Sequence, residues 1–209
     1  VVTVGEEHVA EAHRLGKGVI YLGAHVGNWE LMGVVHSSHG FPLSVVAREF
    51  ESERLNETIN RIRGLAGEEV IGKRRAARAV LSALRAGRGV AILLDQSAGA
   101  SGVKVPFFGR LASTTPSAAA FALRTGAPVI PCLCVMGSDG RYRIAFEPPL
   151  PVVEDADVQR SLYETTARFT AKIESWVRRY PTHWTWMHRR WKPANQSKGR
   201  RPFKNAERV

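Results

Sequence analysis

Short apolar runs alternate with amphipathic helical patterns along most of this chain, and no other feature restricts the fold as strongly. Runs of strand length lie at residues 19–22, 43–46, 70–71, 90–94 and 129–135. Helical patterns lie between and around them, at 6–15, 29–39, 51–63, 73–86, 116–125 and 157–180. In the third of these, Leu55, Ile59 and Ile62 share one face. In the fourth, Ala77, Val80, Leu81 and Leu84 face inward while Arg74, Arg78 and Arg85 line the other side. In the sixth, Val158, Leu162, Phe169, Ile173, Trp176 and Tyr180 recur at three and four and read as mainly core. Thr115-Pro116 opens the fifth and Gly126 closes it, the punctuation expected at helix ends. Alternation of this kind implies a single α/β domain over residues 1–192, with a central, mostly parallel sheet flanked by helices. Residues 1–4 and the alternating stretch 141–146 read as further strands, the latter half-exposed. The polar, basic stretch 193–209 is expected to be a disordered tail.

In such a fold, ligands collect beyond the carboxyl ends of the parallel strands. The stretch from Gly18 to Gly33 is built for that position. Val19, Ile20, Tyr21 and Leu22 form a strand, Gly23 breaks it, and Asn28 is placed to cap the helix that follows. His25 therefore falls in a strand-to-helix loop, five positions before Glu30. A loop His is suited to proton transfer near neutral pH, and a carboxylate can fix its tautomer and stabilise the imidazolium. His25 and Glu30 are thus expected to face each other at the mouth of a groove. Arg48 and Asp95 also follow strand ends and are expected on the same edge. His36 and His39, at helical spacing, read as polar-face residues rather than metal ligands.

The sequence carries 30 Lys and Arg against 19 Asp and Glu, a formal charge of +11. Such a surface favours acidic partners: a phospholipid leaflet, an acidic carrier protein or nucleic acid. The arginines of 73–86 are a solvated face in the simplest reading and a headgroup-binding face in the sharper one. Cys132 and Cys134 sit one residue apart in an apolar run and read as small core side chains. No apolar run approaches the ~20 residues needed to span a bilayer. There is no Gly-x-Ser-x-Gly elbow, no His-Glu-x-x-His and no phosphate loop, which argues against serine hydrolysis, zinc hydrolysis and nucleotide use. The segment Trp184, Trp186, His188, Trp191 interleaves aromatic and basic residues. It suits a membrane interface, or a non-enzymatic module that binds anionic lipid or nucleic acid.

The word His25-Val-Gly-Asn-Trp-Glu30 resembles the first motif of the lysophospholipid acyltransferase superfamily, and more narrowly that of the lipid A biosynthesis (lauroyl and myristoyl) acyltransferases. That family's usual form has Phe where Val26 stands. Arg48 with the helix end Arg61-Ile62-Arg63-Gly64 is similar to its second block. Asp95-Gln96 followed by 102–109 is similar to its third, residues 124–131 to its fourth, and 186–192 to its C-terminal signature. Glu49 follows Arg48 where Pro is commoner. Members usually carry a membrane-anchoring helix before this point, and the chain opens as a fragment would.

The resemblance implies acyl transfer from a thioester, on acyl carrier protein or coenzyme A, to a hydroxyl of a phosphorylated glycolipid such as a lipid A precursor. A lysophospholipid acceptor is the nearest alternative. His25 would be the base and Glu30 its partner. Arg61 would stabilise the oxyanion, with Arg63 and Arg48 in reserve. Asp95 and Gln96 would orient an arginine or the acceptor, and Phe107 and Phe108 would line an acyl-chain groove. No cofactor or metal is required, since the thioester carries the activation. The expected protein is a monomer, peripheral on the cytoplasmic face of a bacterial inner membrane, holding anionic lipid and no nucleic acid.

Overall fold

The computed structural model describes residues 1–47, 52–72 and 76–191. The elements run β1 (Val2–Val4), α1 (Glu6–Arg14), β2 (Val19–Gly23), α2 (Trp29–Ser38), β3 (Leu43–Ala47), α3 (Glu53–Leu65), β4 (Glu68–Gly72) and α4 (Ala76–Arg85). They continue with β5 (Gly89–Leu93), β6 (Val103–Phe107), β7 (Arg110–Thr114), α5 (Ser117–Thr125), β8 (Val129–Met136), β9 (Tyr142–Phe146) and α6 (Val158–Arg179). Seven strands form one sheet in the order β1-β9-β8-β2-β5-β3-β4. Strands β8, β2, β5, β3 and β4 are mutually parallel. Only the β8–β9 pairing is antiparallel, which turns β9 and its parallel neighbour β1 around. The expected single α/β domain with a mostly parallel sheet is the fold observed.

Strand direction and helix placement follow from the handedness of crossovers. Helices α2 and α3 each join parallel strands while the chain steps across the sheet one way, and α4 brings it back the other way. Right-handed crossovers then put α2 and α3 on one face and α4 on the opposite face. The central strand β2 is buried throughout and serves both faces. Val19 and Tyr21 pack with Val9 and Ala12 of α1, Met32 of α2 and Ile130 of β8. Ile20 and Leu22 pack with Val80 and Leu84 of α4, Ala118 of α5, and Phe169 and Ile173 of α6. Burying an aliphatic side chain of this size stabilises by about 1.5–3 kcal/mol, so two packed faces supply the driving force for the layered core. Gly18 has φ +71°, and a Cβ there would collide with the Leu84 backbone, so the tight entry to β2 requires glycine.

The structure departs from the sequence reading in four places. Residues 110–114 form β7, the antiparallel partner of β6, where no strand was expected. Its exposed Arg110 and Leu111 break the apolar pattern, and the pairing is set by the turn rather than by periodicity. Val158, assigned to the core face of the last helix, is 64 % exposed at its first turn. Leu55 and Ile62 of α3 face solvent rather than core. His36 is not on a polar face. It is buried between Tyr21, Phe41 and Phe146, and burial pushes its pKa down to about 3, with His13 and His39 adding to the effect. His39, by contrast, is exposed and pairs with Glu6 at 2.6 Å. Arg48, Lys73 and Arg74 lie outside the described residues, as do residues 192–209.

Candidate active site

The site forms where β2 and β5 end side by side. Their register pairs Gly23 with Leu93, so His25 and Asp95 each lie two residues beyond a matched pair. Asp95 is 1 % exposed and receives three donors. His25 Nδ1 lies 2.8 Å from Oδ1, the His25 backbone N–H donates to Oδ2 at 3.0 Å, and Trp184 Nε1 donates to Oδ2 at 2.8 Å. Burial raises the Asp95 carboxyl, but the His25 bonds and charge, aided by Trp184, outweigh it and hold the group below its ordinary value. Asp95 is therefore a carboxylate, and the proton of a neutral His25 sits on Nδ1 facing it. Nε2 is left as the acceptor, 3.3 Å from the Gln96 side-chain nitrogen, which can donate to it. The same Gln96 nitrogen lies 3.4 Å from His188 Nε2. His188 and Trp29 set their rings edge-on to His25, with centroids 4.6 and 4.7 Å away.

The backbone around His25 explains its sequence context. Asn28 caps α2 by accepting from the Leu31 N–H at 2.9 Å. Gly27 has φ +66°, and a Cβ there would run into the Cys134 carbonyl oxygen. The loop is pinned to β8 by the Asn28 N–H to Cys134 O bond and to the C-terminal segment by Gly27 N–H to His183 O, each 2.8 Å. The His25 carbonyl in turn accepts from Thr185 N–H and its hydroxyl.

Glu30 does not hold His25. Its two oxygens accept from Arg63, at 3.0 Å from Nε and 2.6 Å from Nη2, and Asp95 takes the place expected of Glu30. The reason is that residue 30 is already in the first turn of α2, where its side chain meets α3 rather than the loop. Arg63 also lies 3.9 Å from Glu68. Burial lifts the Glu68 carboxyl to about 7, with Arg63 opposing and Glu30 reinforcing the shift.

These groups border a cavity of about 650 Å³. At one end it is polar, with His25, Glu30, Arg63, Gln96, Ser97 and Thr115. The rest of the lining is mostly apolar, with Met32, Leu43, Val45, Ala91, Cys132 and Phe146, and also carries Tyr21, His36 and Glu68. Arg61, the first choice for an oxyanion donor, is exposed on α3 and is not part of this lining, whereas Arg63 is. Phe107 and Phe108 are not part of it either. Alternation along β6 buries Phe107 against Trp184 and Trp191, and Phe108 packs beneath Arg178. Among the described residues no cluster of three or more His, Cys, Asp or Glu is placed to hold a metal ion.

A family model described as bacterial lipid A biosynthesis acyltransferase matches residues 1–193. The chain belongs to that family. Among curated relatives of this chain is a phosphatidylinositol mannoside acyltransferase of Mycolicibacterium smegmatis, 27% identical over 189 residues, which are 88% of this chain and 60% of that protein. A Mycobacterium tuberculosis protein of the same description is 27% identical over 192 residues, 90% of this chain and 58% of its own length. A lipid A biosynthesis acyltransferase of Haemophilus influenzae is 23% identical over 186 residues, 88% and 57% respectively. The chain thus spans about three-fifths of the relatives' length. Among the described residues of this family member, no helix is long and apolar enough to cross a membrane.

Three contacts around the candidate site were absent from the sequence reading: Trp184 on Asp95, His188 on His25, and Arg190. The Arg190 side chain is fully buried and donates to the Gln96 and Ser113 carbonyls and to the Thr114 hydroxyl. Burial pushes its pKa down to about 10. The crowding of Trp, His and Arg at 184–191 was the available signal, and only its partners were hidden.

Proposed function

We propose that this chain transfers an acyl group from a thioester, carried by acyl carrier protein or coenzyme A, to a sugar hydroxyl of a phosphorylated glycolipid. The observation that carries the reading is His25 at the polar mouth of a largely apolar cavity, with Nδ1 held by a buried carboxylate and Nε2 left as the acceptor that serves as a base, once the acceptor hydroxyl displaces the Gln96 amide from it. Nε2 takes the acceptor hydroxyl proton as that oxygen attacks the thioester carbonyl. Asp95 stabilises the imidazolium. The tetrahedral intermediate collapses by breaking the carbon–sulfur bond, and His25 returns the proton to the leaving sulfur. Gln96 and Arg63 are the side-chain donors at the mouth that suit the developing oxyanion or a substrate phosphate. Glu30 acts by fixing the Arg63 guanidinium. The apolar part of the cavity takes the acyl chain, and the volume of the whole cavity falls in the range of ordinary ligand pockets, about 300–1,000 Å³.

The acceptor is narrowed by chemistry shared by the relatives' named substrates, lipid A and phosphatidylinositol mannoside: a sugar hydroxyl near a phosphate. The +11 charge suits such a lipid, an acidic carrier and the anionic cytoplasmic face of a bacterial inner membrane. The test incubates the full chain with palmitoyl or lauroyl thioesters and three acceptors: a phosphatidylinositol mannoside, a lipid A precursor and a lysophosphatidate. Mass spectrometry should show an acyl-chain increment on a glycolipid that His25→Ala abolishes. Acylation of lysophosphatidate alone, or an increment that survives His25→Ala, would refute the reading.

A further inference from the structure

Helix α3 is turned the wrong way for a core helix. Its one fully buried residue is Arg63, drawn inward by the pair with Glu30 and by Glu68. Leu55 is 44 %, Ile62 50 % and Leu65 84 % exposed, while Ile59 is half-buried. The i, i+7, i+10 spacing places these three on one side of the helix. Arg54 and Arg61, also i, i+7 and both exposed, border that stripe; Glu57 lies beyond them and Glu53 falls on the far side. Burying an arginine while exposing three large aliphatics costs stability in water, so the arrangement calls for an apolar medium outside. The helix lies along β4, the last strand of the sheet, and among the described residues no further strand lies beyond β4.

We infer that α3 is an interfacial helix that seats the protein on an anionic lipid leaflet. The stripe would enter the acyl region to side-chain depth, and Arg54 and Arg61 would reach the headgroups. Charge complementarity selects a leaflet over an uncharged protein surface, because the cations fringe the apolar stripe and lie nearer to it than either carboxylate of the helix. The same helix supplies Arg63 to the cavity, so the docked face adjoins the site through which a lipid substrate would enter. The inference names a surface, not a reaction, and its test requires no turnover.

The decisive probe is local. Cys132 and Cys134 are free and buried, so the full chain carrying Ile62→Cys can be labelled there with an environment-sensitive nitrobenzoxadiazole dye. Phosphatidylcholine vesicles containing phosphatidylglycerol should shift the emission to the blue. Part of that shift should persist at 1 M salt, where the Debye length is only about 3 Å and headgroup attraction is screened. The dye on Leu15→Cys, exposed at the C-terminal end of α1, should not shift. In parallel, Leu55→Ser with Ile62→Ser and Leu65→Ser should lower vesicle partitioning on the order of 100-fold, from the apolar area withdrawn, while the thermal unfolding transition stays cooperative. No shift at position 62, an equal shift at position 15, or a shift that grows with protein concentration in the absence of vesicles would overturn the inference. The last outcome would identify a second copy of the chain as the occupant.

Discussion

Replacing Asp95 by Asn tests the proposed chemistry at its least redundant point. Three donors converge on the carboxylate, one at Oδ1 and two at Oδ2. An amide of the same shape has one acceptor and one donor end. Its oxygen satisfies the most donors in the Oδ2 position, where the His25 backbone N–H and Trp184 Nε1 meet. The amide NH2 then faces His25 Nδ1 and donates to it, which moves the imidazole proton to Nε2. That is the wrong tautomer for a base, and the imidazolium also loses its buried counter-charge. The equivalent substitution in a serine-protease triad costs about 10⁴ in kcat, so a loss of roughly 10³–10⁴ is expected here, ~4–5 kcal/mol of barrier. The effect should fall on kcat, with KM changed little, because the interaction tightens as charge develops on His25. The assay is steady-state acyl transfer by the folded variant, its fold checked by near-ultraviolet circular dichroism. Glu30→Gln is the comparison. It loosens Arg63 but leaves the His25 tautomer intact, and should cost about tenfold. A folded Asp95→Asn with kcat within tenfold of the parent, or a larger kcat loss for Glu30→Gln, would refute the assignment of Asp95 as the group that holds the base.

The two arginines should separate cleanly. Arg61→Ala should leave kcat within about twofold, as an exposed side chain away from the cavity would, while Arg63→Ala should lower kcat/KM at least about tenfold and destabilise the fold by ~3 kcal/mol, measured by urea unfolding. Glu68 makes stability pH-dependent: its native value of about 7 exceeds its ordinary 4.5, so the native state binds the extra proton between them and stability falls as pH rises through that window. Urea unfolding at pH 5 and pH 8 should show up to ~3 kcal/mol of this loss in the parent and little of it in Glu68→Gln. Val45→Trp, in the apolar part of the cavity, should shift donor preference toward shorter acyl thioesters in a competition assay, with kcat for the shortest donor kept within a few-fold.

Most of the fold was legible because period decides element type locally. The runs at 19–22 and 129–135 are apolar on both faces, as strands covered by helices on both sides must be, and Gly126 marks a helix end through its φ of +66°. What periodicity cannot supply is direction. The spacing of Leu55, Ile59 and Ile62 defines a face of α3 correctly, but whether that face turns inward depends on what competes for the interior. Here a buried Arg63 between two carboxylates wins it.

The site divides along the same line. His25, Asp95 and Gln96 follow strand ends, and a parallel sheet brings strand ends to one edge, so their assembly there was readable. Which strand neighbours which was not. Had β3 rather than β5 lain beside β2, the residues after Ala47 would have faced His25, and Asp95 would have been one strand further away. The His25–Glu30 spacing, five residues within one strand-to-helix word, looked like the natural pair because it is local. The structure instead joins His25 to a residue 70 positions away and Glu30 to one 33 positions away. Long-range pairing of this kind separates two jobs that one local dyad would have to share. A buried carboxylate with no access to solvent keeps the imidazole in a single tautomer, and a half-exposed one holds a cation at the cavity mouth. Asp95 is then held downward by the donors on it, independently of the carboxylate that holds Arg63.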